Sequence, residues 1–161
     1  MAKRKLSDEP DRMFVHETSW SEVTETICVK IKDFTEKIED LENKKKPIKS
    51  PRFVLAGKSL SVGVYVYPED FHENSEKFIS VYLNNYSKEN ITATLNFKSS
   101  IGAGENRTIK KRISAGHMRG HRHFLSHSDY KKWARENPDI FSLEVKVTLH
   151  VKNPSTWTTE R

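Results

Sequence analysis

Hydrophobic and polar positions alternate with a period of two along most of this chain. Val23, Ile27, Val29 and Ile31 share one parity, while Glu22, Lys30 and Lys32 take the other. The same period returns in Phe53 and Leu55, in Leu60, Val62, Val64 and Val66, and in Ile79, Val81 and Leu83. It continues in Ile91, Ala93, Leu95 and Phe97, then in Ile109, Lys111 and Ile113. The clearest run is the last, where Phe141, Leu143, Val145, Val147, Leu149 and Val151 alternate without a break. Such alternation in Val-, Ile- and Tyr-rich runs predicts half-buried antiparallel strands. Ala56-Gly57-Lys58 and Gly102-Ala103-Gly104 predict turns between them. Pro68-Glu69-Asp70, followed by the polar run His72 to Glu76, predicts a longer exposed loop.

Two segments depart from this period. Between Asp33 and Lys46, Phe34, Ile38 and Leu41 fall at helical spacing, and three lysines precede Pro47. The stretch is too short for a coiled coil and predicts a long, partly helical connection. Farther on, Ser126 or Ser128 can cap a short helix reaching Arg135, with Asp129 in its first turn and Pro138 beyond its end. Trp133 stands three residues after Tyr130 there, the spacing of a buried face. About eight strands, one short helix before the last strand and no βα alternation predict an all-β fold, an antiparallel eight-stranded β-sandwich. The expected domain covers residues 21–153, between a disordered basic tail over 1–20 and a short polar tail over 154–161.

Composition narrows the class. The 161 residues are 35% hydrophobic and 31% charged, enough for one core. No run of 18 apolar residues exists and MAKRKLSDEP carries no apolar leader, so neither a membrane-spanning helix nor a secretory signal is expected. A single cysteine, Cys28, fits a reducing cytoplasmic or nuclear setting. Without secretion, the N-x-S/T triplets at Asn85, Asn90 and Asn106 are chance matches. Lys3-Arg4-Lys5 reads as part of a solubilising tail, with nuclear import as the other reading. The net charge of +6 points to acidic partners.

The central stretch Ser50 to Leu83 resembles the meprin-and-TRAF-homology (MATH) domain. It runs Ser-Pro-x-Phe, a Gly turn, an alternating strand ending Tyr-Pro, a polar loop and F-I-S-V-Y-L. VKIKDF at Val29 resembles the family's opening W-x-I-x-N-F, and HMRGHRHFL resembles its W-G-F-x-x-F-[LI], with Arg119 in the tryptophan position. The resemblance covers Val23 to Lys152 and implies an eight-stranded antiparallel sandwich with a peptide groove on one sheet. It also implies the role such domains have in signalling adaptors and in substrate recognition for ubiquitin ligation. The POZ module or trimerising coiled coil that accompanies the domain in those proteins is not expected here. Alignment with a POZ-containing adaptor places the groove at Phe78, Leu95, Lys111, Arg119 and His121, with Gly120 between the last two. All five groove positions are aromatic in that adaptor, but here three are basic.

The chemistry between Lys110 and His123 is basic: Lys110, Lys111, Arg112, Arg119 and Arg122, with His117, His121 and His123 and no acid. If the strand around Ile109–Ile113 and a strand formed by the following segment, Gly116 to Phe124, are neighbours, these charges converge on a patch suited to carboxylate or phosphate. A solvated edge that deters aggregation is the plainer reading. His117, His121, His123 and His127 lack the Cys/His spacing of zinc sites, so no metal and no cofactor is expected. Ser126-His127-Ser128-Asp129 contains the letters of a catalytic triad, but adjacent residues cannot adopt its geometry. Cys28 has no neighbouring base, and Trp20, Trp133 and Trp157 read as packing residues, so no enzyme is expected.

The expectation is a protein-interaction module, a monomer or weak dimer, that binds an extended acidic or phosphorylated peptide. Nucleic-acid binding ranks second, because the aromatics read mostly as core positions and not as a stacking platform. Structural self-association through an exposed sheet edge is the third reading.

Overall fold

The computed structural model describes residues 14–17, 20–55, 60–73, 75–99, 101, 106–152 and 156–159. The turns expected at Ala56-Gly57-Lys58 and Gly102-Ala103-Gly104, and the cluster Lys3-Arg4-Lys5, lie outside the described residues.

Two antiparallel sheets pack face to face. The first has the order β2 (Trp20–Lys32), β10 (Ile140–Lys152), β7 (Ile91–Ser99), β8 (Asn106–Ile113). The second runs β3 (Ile48–Lys49), β5 (Leu60–Glu73), β6 (Glu76–Asn85), β9 (Met118–Ser126). β4 (Phe53–Leu55) pairs with the same edge of β5 as β3 does. Each layer therefore has four strand positions, which agrees with the expected eight-stranded sandwich. Outside these layers, β1 (Phe14–Glu17) pairs with β11 (Thr156–Thr159), within the stretches expected to be tails.

The parity of the sequence is the parity of burial. Phe141, Leu143, Val145, Val147 and Leu149 of β10 are buried, as are Ala93, Leu95 and Phe97 of β7. Val62, Val64 and Val66 of β5 and Ile79, Val81 and Leu83 of β6 meet them from the other layer with no exposed surface. Each such side chain contributes roughly 1.5–3 kcal/mol by leaving water.

The connection after β2 is partly helical, as expected: α1 spans Phe34–Glu39. Phe34 and Ile38 are buried, but Leu41 is 83% exposed, because the helix has ended before it. α2 spans His127–Ala134, and its cap is Ser126, whose hydroxyl accepts from the Asp129 N–H at 3.1 Å. Asp139 ties both helices to the start of β10. Its carboxylate accepts from the Thr35 N–H at 3.1 Å, the Thr35 hydroxyl at 3.0 Å and the Tyr130 hydroxyl at 2.7 Å. Asp33, left-handed at φ 53°, supplies no side-chain cap to α1, so Asp139 caps it from across the fold. Phe34 stacks on Phe141 at 4.8 Å and meets Tyr130 edge-on at 5.2 Å, sealing this end of the core.

One loop expectation is corrected. Pro68, Glu69 and Asp70 do not form an exposed loop: β5 runs on to Glu73, and Pro68 and Glu69 are buried. The ladder with β6 slips between Tyr67 and Phe71, and this irregularity takes up the proline, which has no N–H to donate.

Val145→Asp should leave no folded protein, because it places an unpaired carboxylate at a position with no solvent access. Asp139→Ala should cost roughly 1–3 kcal/mol in urea unfolding, since it strands the Thr35 and Tyr130 donors. Unchanged urea midpoints for both would contradict this account of the core.

Candidate binding face

The two solvent faces of the sandwich differ sharply in composition. On the sheet of β2, β10, β7 and β8, the outward positions are threonines and charges, such as Thr24, Thr94, Thr148, Lys30, Lys146 and Arg112. On the sheet of β3, β5, β6 and β9, Tyr65, Tyr67, Phe78 and Tyr82 point outward, and Tyr86 follows the end of β6. All five are half-buried. Parity sends the four strand residues out, since each follows or precedes a buried Val, Ile or Leu.

These rings hold one another in place. The Tyr86 hydroxyl donates to that of Tyr65 at 3.0 Å, and Tyr67 meets Tyr82 edge-on at 5.6 Å. Tyr82 donates to Asp70 Oδ2 at 2.8 Å. Phe78 meets the His123 ring edge-on at 4.9 Å. The Arg52 guanidinium lies 4.0 Å over the Tyr86 ring, and Lys49 Nζ lies 5.1 Å from the centre of Tyr65. Burial pushes the Tyr82 phenol up to about 12, with the Asp70 carboxylate adding to it. Burial likewise raises Tyr67 and Tyr86. At neutral pH these phenols keep their protons.

Two glycines permit close approaches within this face. A side chain on Gly63 would come within 2.7 Å of the Tyr86 ring, which lies across that position. One on Gly120 would collide with the Val81 carbonyl oxygen and the Tyr82 backbone. Next to Gly120 the β6–β9 ladder slips, and Ser80 donates to the Arg122 carbonyl at 2.7 Å across the irregularity.

The six residues expected to line a groove are divided between the two layers. Phe78 and Gly120 lie on the aromatic face. Arg119 and His121 stand on edge strand β9 opposite Leu83 and Val81, at inward parity. His121 packs edge-on against Phe97 at 5.4 Å, and Arg119 reaches solvent with Nη1 donating to the Met118 carbonyl at 2.9 Å. Leu95 is a core residue with no exposed surface, on β7 of the other sheet. Lys111 is exposed on β8, also in the other sheet.

The cause is topological. β8 pairs with β7, and β9 pairs with β6, so these two strands are edges of opposite layers. The chain crosses between the layers at Gly116, with φ 77°. The condition set for convergence of Lys110, Lys111 and Arg112 with Arg119 and Arg122, that their strands pair as neighbours, is therefore not met. Most described aromatics do lie in or against the core, among them Phe34, Phe97, Phe124, Tyr130 and Phe141, but five others form a solvent face.

Two polar clusters went unrecognised in the sequence. Thr94 Oγ1 lies 2.9 Å from His150 Nε2, and His150 Nδ1 lies 3.4 Å from Glu22 Oε2. This has the connectivity of a hydroxyl–imidazole–carboxylate relay. It sits on a flat sheet face where backbone N–H groups are committed to the ladders, so none is aimed at an oxyanion position. Among the described residues no group of three or more His, Cys, Asp or Glu is placed to hold a metal ion.

The second cluster surrounds Glu69, 3% exposed, at a cleft of about 590 Å³ beside the ends of α1 and α2. Lys44 Nζ stands 2.9 Å and Lys77 Nζ 3.7 Å from Glu69 Oε1, and Lys45 Nζ stands 3.8 Å from Oε2. Burial alone would raise the Glu69 carboxyl, but the Lys44 and Lys77 ammonium groups outweigh it and hold it below the usual carboxylate range. His127 Nε2 lies 2.6 Å from the Pro68 carbonyl, which can only accept, so that nitrogen carries the proton. Burial lowers the His127 pKa, opposed by this bond and by Glu69.

The class that this architecture defines is the TRAF-like antiparallel β-sandwich. Comparison with solved structures finds the same fold in TRAF5 of Notothenia coriiceps, with a TM-score of 0.55 and 18% identity, over 76% of this chain and 72% of that one. No family model matches the sequence, and no curated protein matches it. No helix among the described residues is long and apolar enough to cross a membrane.

Acid should destabilise the fold in two steps. The unfolded His127 imidazole binds a proton at higher pH than the folded one, so stability falls as pH drops below about 6.5. Glu69 contributes stability above its unfolded pKa, and this is lost as pH falls below about 4.5. Thermal melts from pH 7.5 to about 3 should show both steps, and His127→Gln, which keeps a donor for Pro68, should flatten the first. An unchanged first step in that variant would contradict the assignment.

Proposed function

We propose that this domain is a protein-interaction module that holds an extended acidic peptide against its aromatic face. The observation that carries the reading is the asymmetry of the two solvent faces. One is threonine and charge, and the other presents five aromatic rings, with Tyr65 paired to Tyr86, Tyr67 to Tyr82 and Phe78 to His123. Half-exposed aromatics clustered on a rigid sheet are the side chains that dominate binding energy at protein interfaces. Their mutual contacts already fix their rotamers, so little entropy remains to be lost on binding.

Charge selects the ligand class. Lys49 and Arg52 flank the Tyr65–Tyr86 end of the strip, and Arg122 carries its charge near Tyr82. Stacked over Tyr86, the Arg52 guanidinium keeps its edge available for a carboxylate or phosphate. Neighbouring β9 is an edge strand, able to pair with an added peptide strand before its irregularity.

Single-stranded nucleic acid is the second reading, since aromatic rings beside cations also stack bases. It is less favoured because Arg52 and Lys49 already cover two of the rings, and Tyr67 and Tyr82 stand edge to face.

Acidic, phosphorylated and neutral peptides arrayed against the protein, followed by fluorescence polarisation, decide between them. Tyr82→Ala should weaken the best acidic peptide by about 30-fold or more, the size expected of an interface hot spot. Thr94→Ala, on the opposite face, should leave affinity unchanged. Equal losses in both variants would remove the face from consideration. Binding that ignores peptide sequence, but follows oligonucleotide with a steep salt dependence, would favour nucleic acid.

A further inference from the structure

The four sheet edges are protected unequally. β8 presents three consecutive exposed cations, Lys110, Lys111 and Arg112, which repel a second copy of the same strand. β9 is broken by a register slip. β3 and β4 are two and three residues long, with Pro51 between them. β2 carries a single such guard, Glu25 at inward parity. It pairs with β10 in unbroken register over 13 residues, contains no proline, and pairs with no other strand among the described residues.

Charge on β2 is sorted by sign along the strand. Its outward row reads Glu22, Thr24, Thr26, Cys28 and Lys30, all exposed, with acid at the N-terminal side and Lys30 and Lys32 at the C-terminal end. An antiparallel pairing of β2 with itself about a two-fold axis through Thr26 keeps outward side chains on one face. It sets Glu22 opposite Lys30 of the second copy and Thr24 opposite Cys28 of the second copy, each twice. Opposite charges directly across an antiparallel pair are favourable, whereas like charges there are not. The strand is thus complementary to its own inverse, which β8 is not.

We infer that β2 is a self-association edge, through which two copies of this chain join their four-stranded sheets into one continuous sheet. The occupant is a second copy because the charge order of β2 matches its own reversed sequence. Glu25 at inward parity falls opposite Ile27 of the second copy, which makes the pairing weak and reversible. In this register the two Cys28 residues are four positions apart, roughly 13 Å along the strand, too far for a disulfide.

The test uses the whole chain. Under mild oxidation Thr24→Cys should form a disulfide-linked dimer on a non-reducing gel, through Cys28 of the second copy, while the wild-type chain and Lys110→Cys on the opposite edge do not. Cysteines at 24 and 28 of one strand are too far apart to join within a copy. In the Thr24→Cys background, Lys30→Glu or Glu22→Lys alone should slow cross-linking about tenfold. The double exchange should restore the rate, with far-ultraviolet circular dichroism confirming that each variant is folded. Cross-linking of Thr24→Cys no faster than Lys110→Cys, or no rescue by the double exchange, overturns the inference. So does sedimentation showing only monomer at millimolar wild-type protein.

Discussion

The structure depends on one constraint: two sheets must close their apolar faces on each other, so every strand commits one parity to the interior. Val62, Val64 and Val66 of β5 and Ile79, Val81 and Leu83 of β6 meet Ala93, Leu95 and Phe97 of β7 and the Phe141–Leu149 run of β10. With that commitment made, the opposite parity is free of packing duty and can differ between the layers. It carries threonine and charge on one sheet and tyrosine and phenylalanine on the other. The candidate face is a by-product of core parity combined with strand order.

The closed end of the sandwich shows how polar groups serve the same packing. Asp139 gathers three donors from two helices, and the Phe34–Phe141–Tyr130 cluster fills the space behind it. Glu69 is the counterpart at the irregularity of β5, a buried carboxylate made tolerable by surrounding lysines. A buried ion cluster of this kind adds little net stability, but loss of one partner is costly. It fixes where β5 resumes pairing after Pro68.

The edges govern what the sandwich can meet. β8 and β9 lie on one side of the molecule in opposite layers, and their cations therefore face different surroundings. Arg122 lies by the aromatic face, whereas Lys110 and Arg112 sit on the other sheet. On the far side β2 offers a long unbroken strand, so peptide capture and self-pairing would use separate parts of the fold.

Period-two alternation determined most of the sandwich strands, the sandwich class and most of the core, because burial on one face imposes that period on any antiparallel strand. The Ser126 cap of α2 and the buried Phe34 and Ile38 of α1 were legible for similarly local reasons. Strand partnership was not legible, since period two is the same whichever neighbour a strand takes. That is why Leu95 and Lys111 were grouped with Phe78, although β7 and β8 lie in the other layer. The burial of Glu69 was hidden as well, because Pro-Glu-Asp reads as a turn until Lys44, far away in the chain, supplies its counter-charge. The aromatic face lay in plain sight as Tyr65, Tyr67, Phe78 and Tyr82 at outward parity. Only the pairing of β5 with β6 makes it one surface, since contact between residues distant in sequence is decided by packing.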